Sequence, residues 1–392
     1  MTSTIFGAGA VDRLHETATS ATGLDDFGDN TYLEALGVLV DSYAAEADFT
    51  PAGEEFHFGA LVGALSARLF SQVGWAQNPG HKDVRIERPV IITGVARTGT
   101  TALNRLLCAP PEHQGLDLWL ANIPQPRPPR ETWVEHPVYK MVDARVKESP
   151  YSREEFAHIH FVAADAPEEC DMLSQQSLMG NMWVATANVP TYAEWLSGQD
   201  WTAVLERNRA NLQLIGMTEP EKRWVLKNPG HLHSLDELLA VYPDALVIWT
   251  HRHPVRTIPS ICSVLEKLAP GMSDTYQGAV IGAGQLDYYA TGVEKAMAAR
   301  ARHDEAQFID VYYDDFVADP LATVEAVYSR LGVPMGEAAR AAVHKANADS
   351  HLAHRKPNHG YTLADYGLSA GQVTERFSDY LAAHPRVAGT SR

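Results

Sequence analysis

The stretch VIITGVARTGTT, residues 90–101, combines residue types that bind anions. Gly94 and Gly99 lie five apart, as in the phosphate loop G-x-x-x-x-G-K-[ST]. Thr100 stands where that loop has its lysine, and the nearest cation is Arg97, inside the turn. An apolar strand before the turn and a helix after it would present backbone N–H groups at a helix N-terminus. The stretch therefore predicts a site for a phosphate-like anion.

Side chains of the same turn add donors. Gly99 lets the backbone approach a ligand closely, and Thr100 and Thr101 carry hydroxyl groups. The guanidinium of Arg97 can bind an anion with two N–H groups at once. A glycine turn with a surface arginine is the alternative, because G-x-x-x-x-G alone is common. The strand in front and the sequence T-G-T-T favour the anion site.

A second group of polar residues follows another strand, in THRHPVRTIPSICS. Arg252 comes directly after that strand, and Ser260 stands eight residues later in a helix that Pro254 opens. An arginine and a hydroxyl placed in this way can hold a second phosphate. A surface ion pair of Arg252 is the alternative.

Neither group offers the acid that Mg²⁺ requires. In nucleotide kinases an aspartate at a strand end helps to hold Mg²⁺, but the strand DALVIWT ends in HRHP. Three H-x-H pairs are the remaining metal candidates: His158/His160, His231/His233 and His251/His253. Zinc needs three or four convergent ligands, and Pro and Gly interrupt two of these stretches. We therefore predict that no metal is bound.

Strands and helices must hold these residues in place. RPVIITG, RWVLKNPG, DALVIWTHRHP and AQFIDVYYDDF read as strands, followed by helices near 100–108, 232–242, 254–268 and 321–331. Buried strands alternating with helices predict an α/β fold of three layers around a central parallel sheet. Ligands of such sheets bind beyond the carboxyl ends of the strands, where both groups lie.

Two further regions flank the strands. Residues 1–85 are acidic and show helical spacing of apolar residues, so we predict a helical N-terminal preface packed on a main domain of residues 86–392. Within that domain, a Pro- and Trp-rich insertion spans about 110–222, and PTYAEWLSGQDWTAVLERNRANLQLI predicts helix inside it. The preface could cover the sheet or contact a second copy in a homo-oligomer.

The composition narrows the classes of function. The chain has 392 residues and a formal charge of −17, which argues against nucleic acid as the main partner. Three scattered cysteines predict neither a disulfide framework nor structural zinc. We find no signal peptide and no apolar run long enough to span a membrane, and we expect a cytoplasmic protein.

Taken together, these motifs resemble those of sulfotransferases that use 3′-phosphoadenosine 5′-phosphosulfate (PAPS). GVARTGTT is similar to the 5′-phosphosulfate loop of that superfamily, and HRHPVRTIPS resembles its 3′-phosphate motif. Three later segments also match in order: VLKNPGHLHSLDELLAVYPDALVIWTHRHP, FIDVYYDDFVADPLATVEAVYSRLG and RKPNHGYTLADYGLSAGQVTERFSDY. The similarity runs from about residue 88 to 382 and points to a bacterial branch with an N-terminal helical preface.

The resemblance implies roles for individual residues. Arg97 and the backbone of Thr98, Gly99, Thr100 and Thr101 would hold the 5′-phosphosulfate. Arg252 and Ser260 would hold the 3′-phosphate, a pocket that Arg355 and Lys356 would complete. Lys227 would reach the bridging oxygen, so that PAPS leaves as 3′-phosphoadenosine 5′-phosphate (PAP) without a metal.

The general base is open at this point. One branch of the superfamily has a His shortly after the lysine, which corresponds to His231, and a neutral His suits removal of a hydroxyl proton. Other branches use an acid soon after the loop, which makes Asp117 a candidate. The segment HIHFVAADAPEECDML offers others: His160, Asp165, Glu168 and Glu169.

The acceptor and two rival functions are also open. Trp119, Trp133, Trp183, Trp195 and Trp201, with Tyr192, are either core residues or the lining of an apolar pocket. In the second case, the acceptor would be a small-molecule or lipid hydroxyl such as a sterol, phenol or glycolipid. The rival functions are a P-loop nucleotide kinase or NTPase, and a PAP-binding protein without catalytic activity.

Overall fold

The computed structural model describes residues 5–149, 162–268, 270–349 and 360–389. In these residues, five parallel strands form one sheet in the order β2-β3-β1-β4-β5. The strands are β1 Val90–Gly94, β2 His113–Gly115, β3 Arg223–Lys227, β4 Leu246–His251 and β5 Phe308–Tyr312. The four strands that the sequence predicts are present. β2 was missed because its three residues, His-Gln-Gly, carry no β-branched or apolar side chain.

Helices account for most of the remaining described chain. In chain order, they are α1 Ala10–Thr22, α2 Leu33–Glu46, α3 Pro51–Gln77, α4 Thr100–Cys108, α5 Leu118–Asn122, α6 Pro137–Glu148, α7 Asp171–Ser174, α8 Asn181–Thr186, α9 Pro190–Ser197, α10 Thr202–Gly216, α11 Leu235–Val241, α12 Pro254–Leu268, α13 Ala279–Arg300, α14 Tyr313–Ala318, α15 Pro320–Leu331, α16 Glu337–Ala348, α17 Ala370–Arg376, α18 Ser378–Ala383 and α19 Pro385–Ala388. None of these helices is long and apolar enough to cross a bilayer.

Both faces of the sheet are buried under helices. Successive side chains of a strand point to opposite faces. Val90 and Ile92 of β1 therefore pack in one apolar cluster with α4, α15 and α16, whereas Ile91 belongs to the other cluster. This alternation explains why β1 is apolar at nearly every position and confirms the predicted three-layer α/β fold.

The register of the central strands brings the polar motifs to one edge. Ile92 of β1 pairs with Lys227, the last residue of β3, and Gly94 pairs with Thr250 near the end of β4. The loop after β1, the side chain of Lys227 and Arg252 therefore emerge together at the carboxyl edge of the sheet.

The N-terminal region is helical, as predicted. Helix α3 begins at Pro51, and the hydroxyl of Thr50 accepts a hydrogen bond from the Gly53 N–H at 3.2 Å. Apolar residues of α1–α3 belong to the same buried cluster as Trp249 of β4, so the preface helices share the hydrophobic core on one side of the sheet. The division of the chain near residue 85 stays a prediction.

The region from 110 to 222 is more divided than its sequence suggests. It contributes the edge strand β2 before its helices begin. The stretch predicted to be helical near 190–215 forms two helices, α9 and α10, because Gly198 ends the first and Asp200 precedes the second. The Asp200 carboxylate accepts a hydrogen bond from the Thr202 N–H at 2.7 Å.

Candidate active site

The loop between β1 and α4 has a backbone that its sequence explains. Gly94 has φ +145°, and a Cβ there would lie 2.5 Å from the carbonyl oxygen of Thr250. Gly99, at φ +92°, caps the start of α4. Both positions therefore require glycine. Arg97 also has a positive φ, +73°, a conformation uncommon for a residue with a side chain and often found at functional sites.

The three threonines of the loop differ in what their side chains contact. The Thr98 hydroxyl donates to the carbonyl oxygen of Val95 at 2.7 Å and lies 2.5 Å from the hydroxyl of Thr250. Its side chain therefore holds the loop against β4, and only its backbone is available to a ligand. The side chains of Thr100 and Thr101 instead help to line a cavity at the loop. The first turn of α4 has N–H groups without partners in the helix, which suits an anion.

The two arginine motifs meet at this loop. Arg97 Nε donates to the hydroxyl of the buried Ser260 on α12, at 3.2 Å. Arg252 Nη1 donates to the backbone oxygen of Arg97 at 3.0 Å, and its guanidinium carbon lies 4.0 Å from the centre of the Tyr313 ring. Residues 97, 252 and 260 therefore form one cationic cluster with a hydroxyl beside it.

Lys227 lies between the loop and two carboxylates. Its Nζ is 2.6 Å from Glu169 Oε1, 3.6 Å from Glu168 Oε1 and 3.5 Å from the hydroxyl of Thr101. The lysine side chain is fully buried. Burial alone lowers the pKa of Lys227, but the carboxylates of Glu169 and Glu168 outweigh burial and raise it. The ammonium group therefore stays charged at neutral pH.

Backbone hydrogen bonds place the two glutamates there. The N–H of Glu168 donates to the oxygen of Leu116 at 2.8 Å, and the N–H of Cys170 donates to the oxygen of Lys227 at 3.0 Å. The segment 168–170 is thus fastened beside β3 although it lies almost 60 residues earlier in the chain. The site therefore contains both charges: the Lys227 ammonium at the loop and the carboxylates of the two glutamates that face it.

Comparison with known proteins agrees with this geometry. The model of the sulfotransferase family matches residues 89–337, well over half of the chain. The chain belongs to the sulfotransferase family. None of the curated protein sequences matches it significantly.

Two solved sulfotransferases resemble the whole chain. The sulfotransferase STF1 from Mycobacterium tuberculosis H37Rv is 49% identical, with a TM-score of 0.87 over 94% of this chain and 98% of its own. The sulfotransferase STF9 from Mycobacterium avium is 27% identical, with a TM-score of 0.84 over 98% and 97%. Since both matches extend beyond residues 89–337, the N-terminal helices are part of the shared structure.

Two predicted bases of this sulfotransferase lie outside the cavity. Of the described residues, its wall includes Glu168 and Glu169 but neither Asp117 nor His231. Burial raises the pKa of Asp117 to about 6, although Arg127 Nη2, 3.4 Å away, opposes the rise. Burial lowers the pKa of His231 to about 4. His160 lies outside the described residues, and the carboxylate of Asp165 is 3.4 Å from Arg130.

The cavity beside the loop measures about 500 Å³. The tryptophans of the insertion do not form its wall. Trp119 and Trp183 are completely buried, and Trp133 and Trp201 are nearly so, which makes them core residues. The wall is instead built from α3, α6, α12 and the segment 168–182. The sequence did not single out α3 because its small residues read as ordinary helix packing.

Among the described residues of the predicted H-x-H pairs, His251 belongs to a group of possible metal ligands. Its ligand atom and those of Asp310 and His384 all lie within 4.8 Å of one another. Asp310, however, accepts hydrogen bonds from Arg300 at 2.6 and 3.0 Å, and the ring nitrogens of His251 already bond Asp310 and Tyr380. Because a guanidinium neutralises the carboxylate, we interpret the group as a partly buried hydrogen-bond network. The pair at 158 and 160 lies outside the described residues, and the absence of a bound metal stays a prediction.

Proposed function

We propose that this sulfotransferase moves the sulfuryl group of PAPS to a hydroxyl of a small-molecule or lipid acceptor. The proposal rests on the position of Lys227, whose ammonium lies between the hydroxyl of Thr101 in the anion loop and the carboxylate of Glu169. The Lys227 cation thus lies beside the loop that would hold the donor, and the Glu169 carboxylate, as the base, lies beside Lys227. The cavity is next to both side chains. The products are a sulfate ester and PAP, and the hydroxyl proton goes to the base.

The donor would be held by this chain's cations and backbone. Arg97 and the N–H groups of residues 98–101 suit the 5′-phosphosulfate, because both present donors to an anion. Arg252 and Ser260 suit the 3′-phosphate. Arg355 and Lys356, expected in the same pocket, lie outside the described residues and stay predictions.

Charge neutralisation needs no metal in this proposal. The leaving phosphate gains negative charge as the sulfuryl group departs, and a fixed cation lowers the energy of that charge. Lys227 and Arg97 supply such cations. Strand β4 ends at His251, followed by Arg252 rather than the aspartate that holds Mg²⁺ in P-loop kinases. This sequence of residues favours sulfuryl transfer over the kinase alternative.

Glu169 is the base that the geometry favours. Its carboxylate lies in the cavity wall, 2.6 Å from Lys227, where an acceptor hydroxyl and the donor would meet. Glu168 is next to it but 3.6 Å from the lysine. Asp117 is paired with Arg127, and His231 lies away from the cavity wall.

Transfer of a radiolabelled sulfuryl group from PAPS to nitrophenol or dodecanol tests this function, with Glu169→Gln compared to Glu168→Gln. We expect transfer without added Mg²⁺, and a loss of about 100-fold or more in Glu169→Gln only. Equal losses in both variants would refute the assignment of Glu169. PAP binding with no transfer to any alcohol or phenol would instead support the binding protein without activity.

A further inference from the structure

The cavity beside the active site has walls from three separate parts of the chain. Its volume is about 500 Å³, within the range of pockets that enclose a drug-sized molecule. One wall comes from the preface helix α3, a second from Val142 and Val146 of α6, and a third from Ile261, Val264 and Leu265 of α12. Glu168 and Glu169 lie in the same wall surface, so the cavity begins where the proposed base is.

Helix α3 leaves room in the cavity because, apart from Phe56, its residues there are small. Phe56, Ala60, Gly63, Ala64 and Ala67 line the cavity at spacings that place them on one helix face. A Cβ added to Gly63 would meet nothing within 4 Å. The free space in front of α3 thus depends on the absence of a side chain at this position.

Charged groups of both signs line the cavity. The carboxylates of Glu168, Glu169 and Asp171 are in its wall, and so are the guanidinium groups of Arg97 and Arg145. The apolar side chains of α3, α6 and α12 would contact an apolar body.

We infer that the acceptor is an alcohol with a large apolar body, and that Gly63 on α3 leaves free the space that this body occupies. The inference rests on the proposed function, because it needs the hydroxyl to reach Glu169. In the reaction, the alcohol O–H loses its proton to Glu169, its oxygen forms the new bond to sulfur, and the bond from sulfur to the PAP oxygen breaks. The N-terminal preface is then part of the acceptor site.

Chain-length series of alcohols test the inference. The substrates are hexanol and dodecanol, with radiolabelled PAPS as donor. Each methylene that enters the cavity should lower KM about fourfold until the cavity is full. We expect kcat/KM for dodecanol to exceed that for hexanol at least about tenfold.

The matched variants are Gly63→Leu and Gly59→Leu. Both add the same side chain to α3, and a Cβ meets nothing within 4 Å at either position, but Gly59 does not line the cavity. Gly63→Leu should lower the dodecanol-to-hexanol ratio of kcat/KM at least about tenfold, and Gly59→Leu should leave it unchanged. PAP binding, measured by calorimetry, reports whether each variant is folded.

Two outcomes would overturn the inference: no gain with chain length, or equal effects of both leucine variants. Each of these leaves PAP binding and transfer to a phenol intact, so the proposed function would stand. If the wild-type protein does not bind PAP, the proposed function itself is contradicted.

Discussion

The pair of Lys227 and Glu169 makes a prediction about stability that does not depend on the acceptor. Two opposite charges 2.6 Å apart attract by about 6 kcal/mol at an effective dielectric constant near 20. Desolvation of the fully buried lysine offsets much of this attraction. Removing one partner, however, leaves the other charge buried and costs about 3 to 5 kcal/mol.

We therefore expect Glu169→Gln to lower the free energy of unfolding by about 3 kcal/mol, at the lower end of that range because Glu168 remains 3.6 Å from the lysine. Lys227→Met should lower it by a similar amount, since two carboxylates lose their cation. The double variant should be less destabilised than the sum of the two, because no uncompensated lysine remains.

Urea unfolding followed by tryptophan fluorescence measures all four proteins at one pH. The account predicts a coupling energy of about 2 kcal/mol or more between the two positions. Glu168→Gln is the matched control and should cost clearly less than Glu169→Gln. Additive effects of below about 1 kcal/mol each would refute the buried ion pair.

Three other predictions concern separate parts of the molecule. Gly94→Ala should destabilise the protein by several kcal/mol, seen in urea unfolding, because its Cβ would strike the backbone of Thr250. Burial raises the pKa of Asp310, but bonds from His251 and Arg300 outweigh it and hold the pKa well below its usual range. The stabilisation that the Asp310 carboxylate contributes is therefore present above its unfolded pKa of about 4 and is lost as the pH falls below that value. Asp310→Asn should make the free energy of unfolding depend less on pH in that acidic range. His231→Asn should keep kcat/KM within about tenfold of the wild type and leave the acidic limb of the plot of kcat/KM against pH unchanged. A loss of about 100-fold or more, with a shift of that limb, would make His231 the base.

Local patterns were enough to predict the main strands and the glycine loop after β1. β1, β3, β4 and β5 are runs of β-branched and aromatic residues between turns, and parallel strands carry whatever follows them to one edge. Arg97 and Arg252 were therefore expected at one place, although 155 residues separate them.

The acid partner of Lys227 and the cavity beside it could not be ranked from the sequence. Glu169 reaches Lys227 through backbone bonds of a segment 58 residues earlier, and no spacing rule encodes such a contact. The tryptophans looked like candidates for the pocket because of their size, but Trp119, Trp133, Trp183 and Trp201 are buried in the core. Gly63 in the cavity wall has no side chain, so its residue type alone gives no sign that it lines a cavity.

Binding of PAP by calorimetry, without Mg²⁺, tests the central claim most directly. The comparison is between the wild type, Arg252→Ala, and Arg302→Ala as a control that removes an exposed arginine paired with Asp236. The account predicts micromolar binding that weakens about 10- to 100-fold in Arg252→Ala only, with far weaker binding of ATP. Absence of PAP binding, or ATP binding that requires Mg²⁺, would contradict the account and favour the kinase.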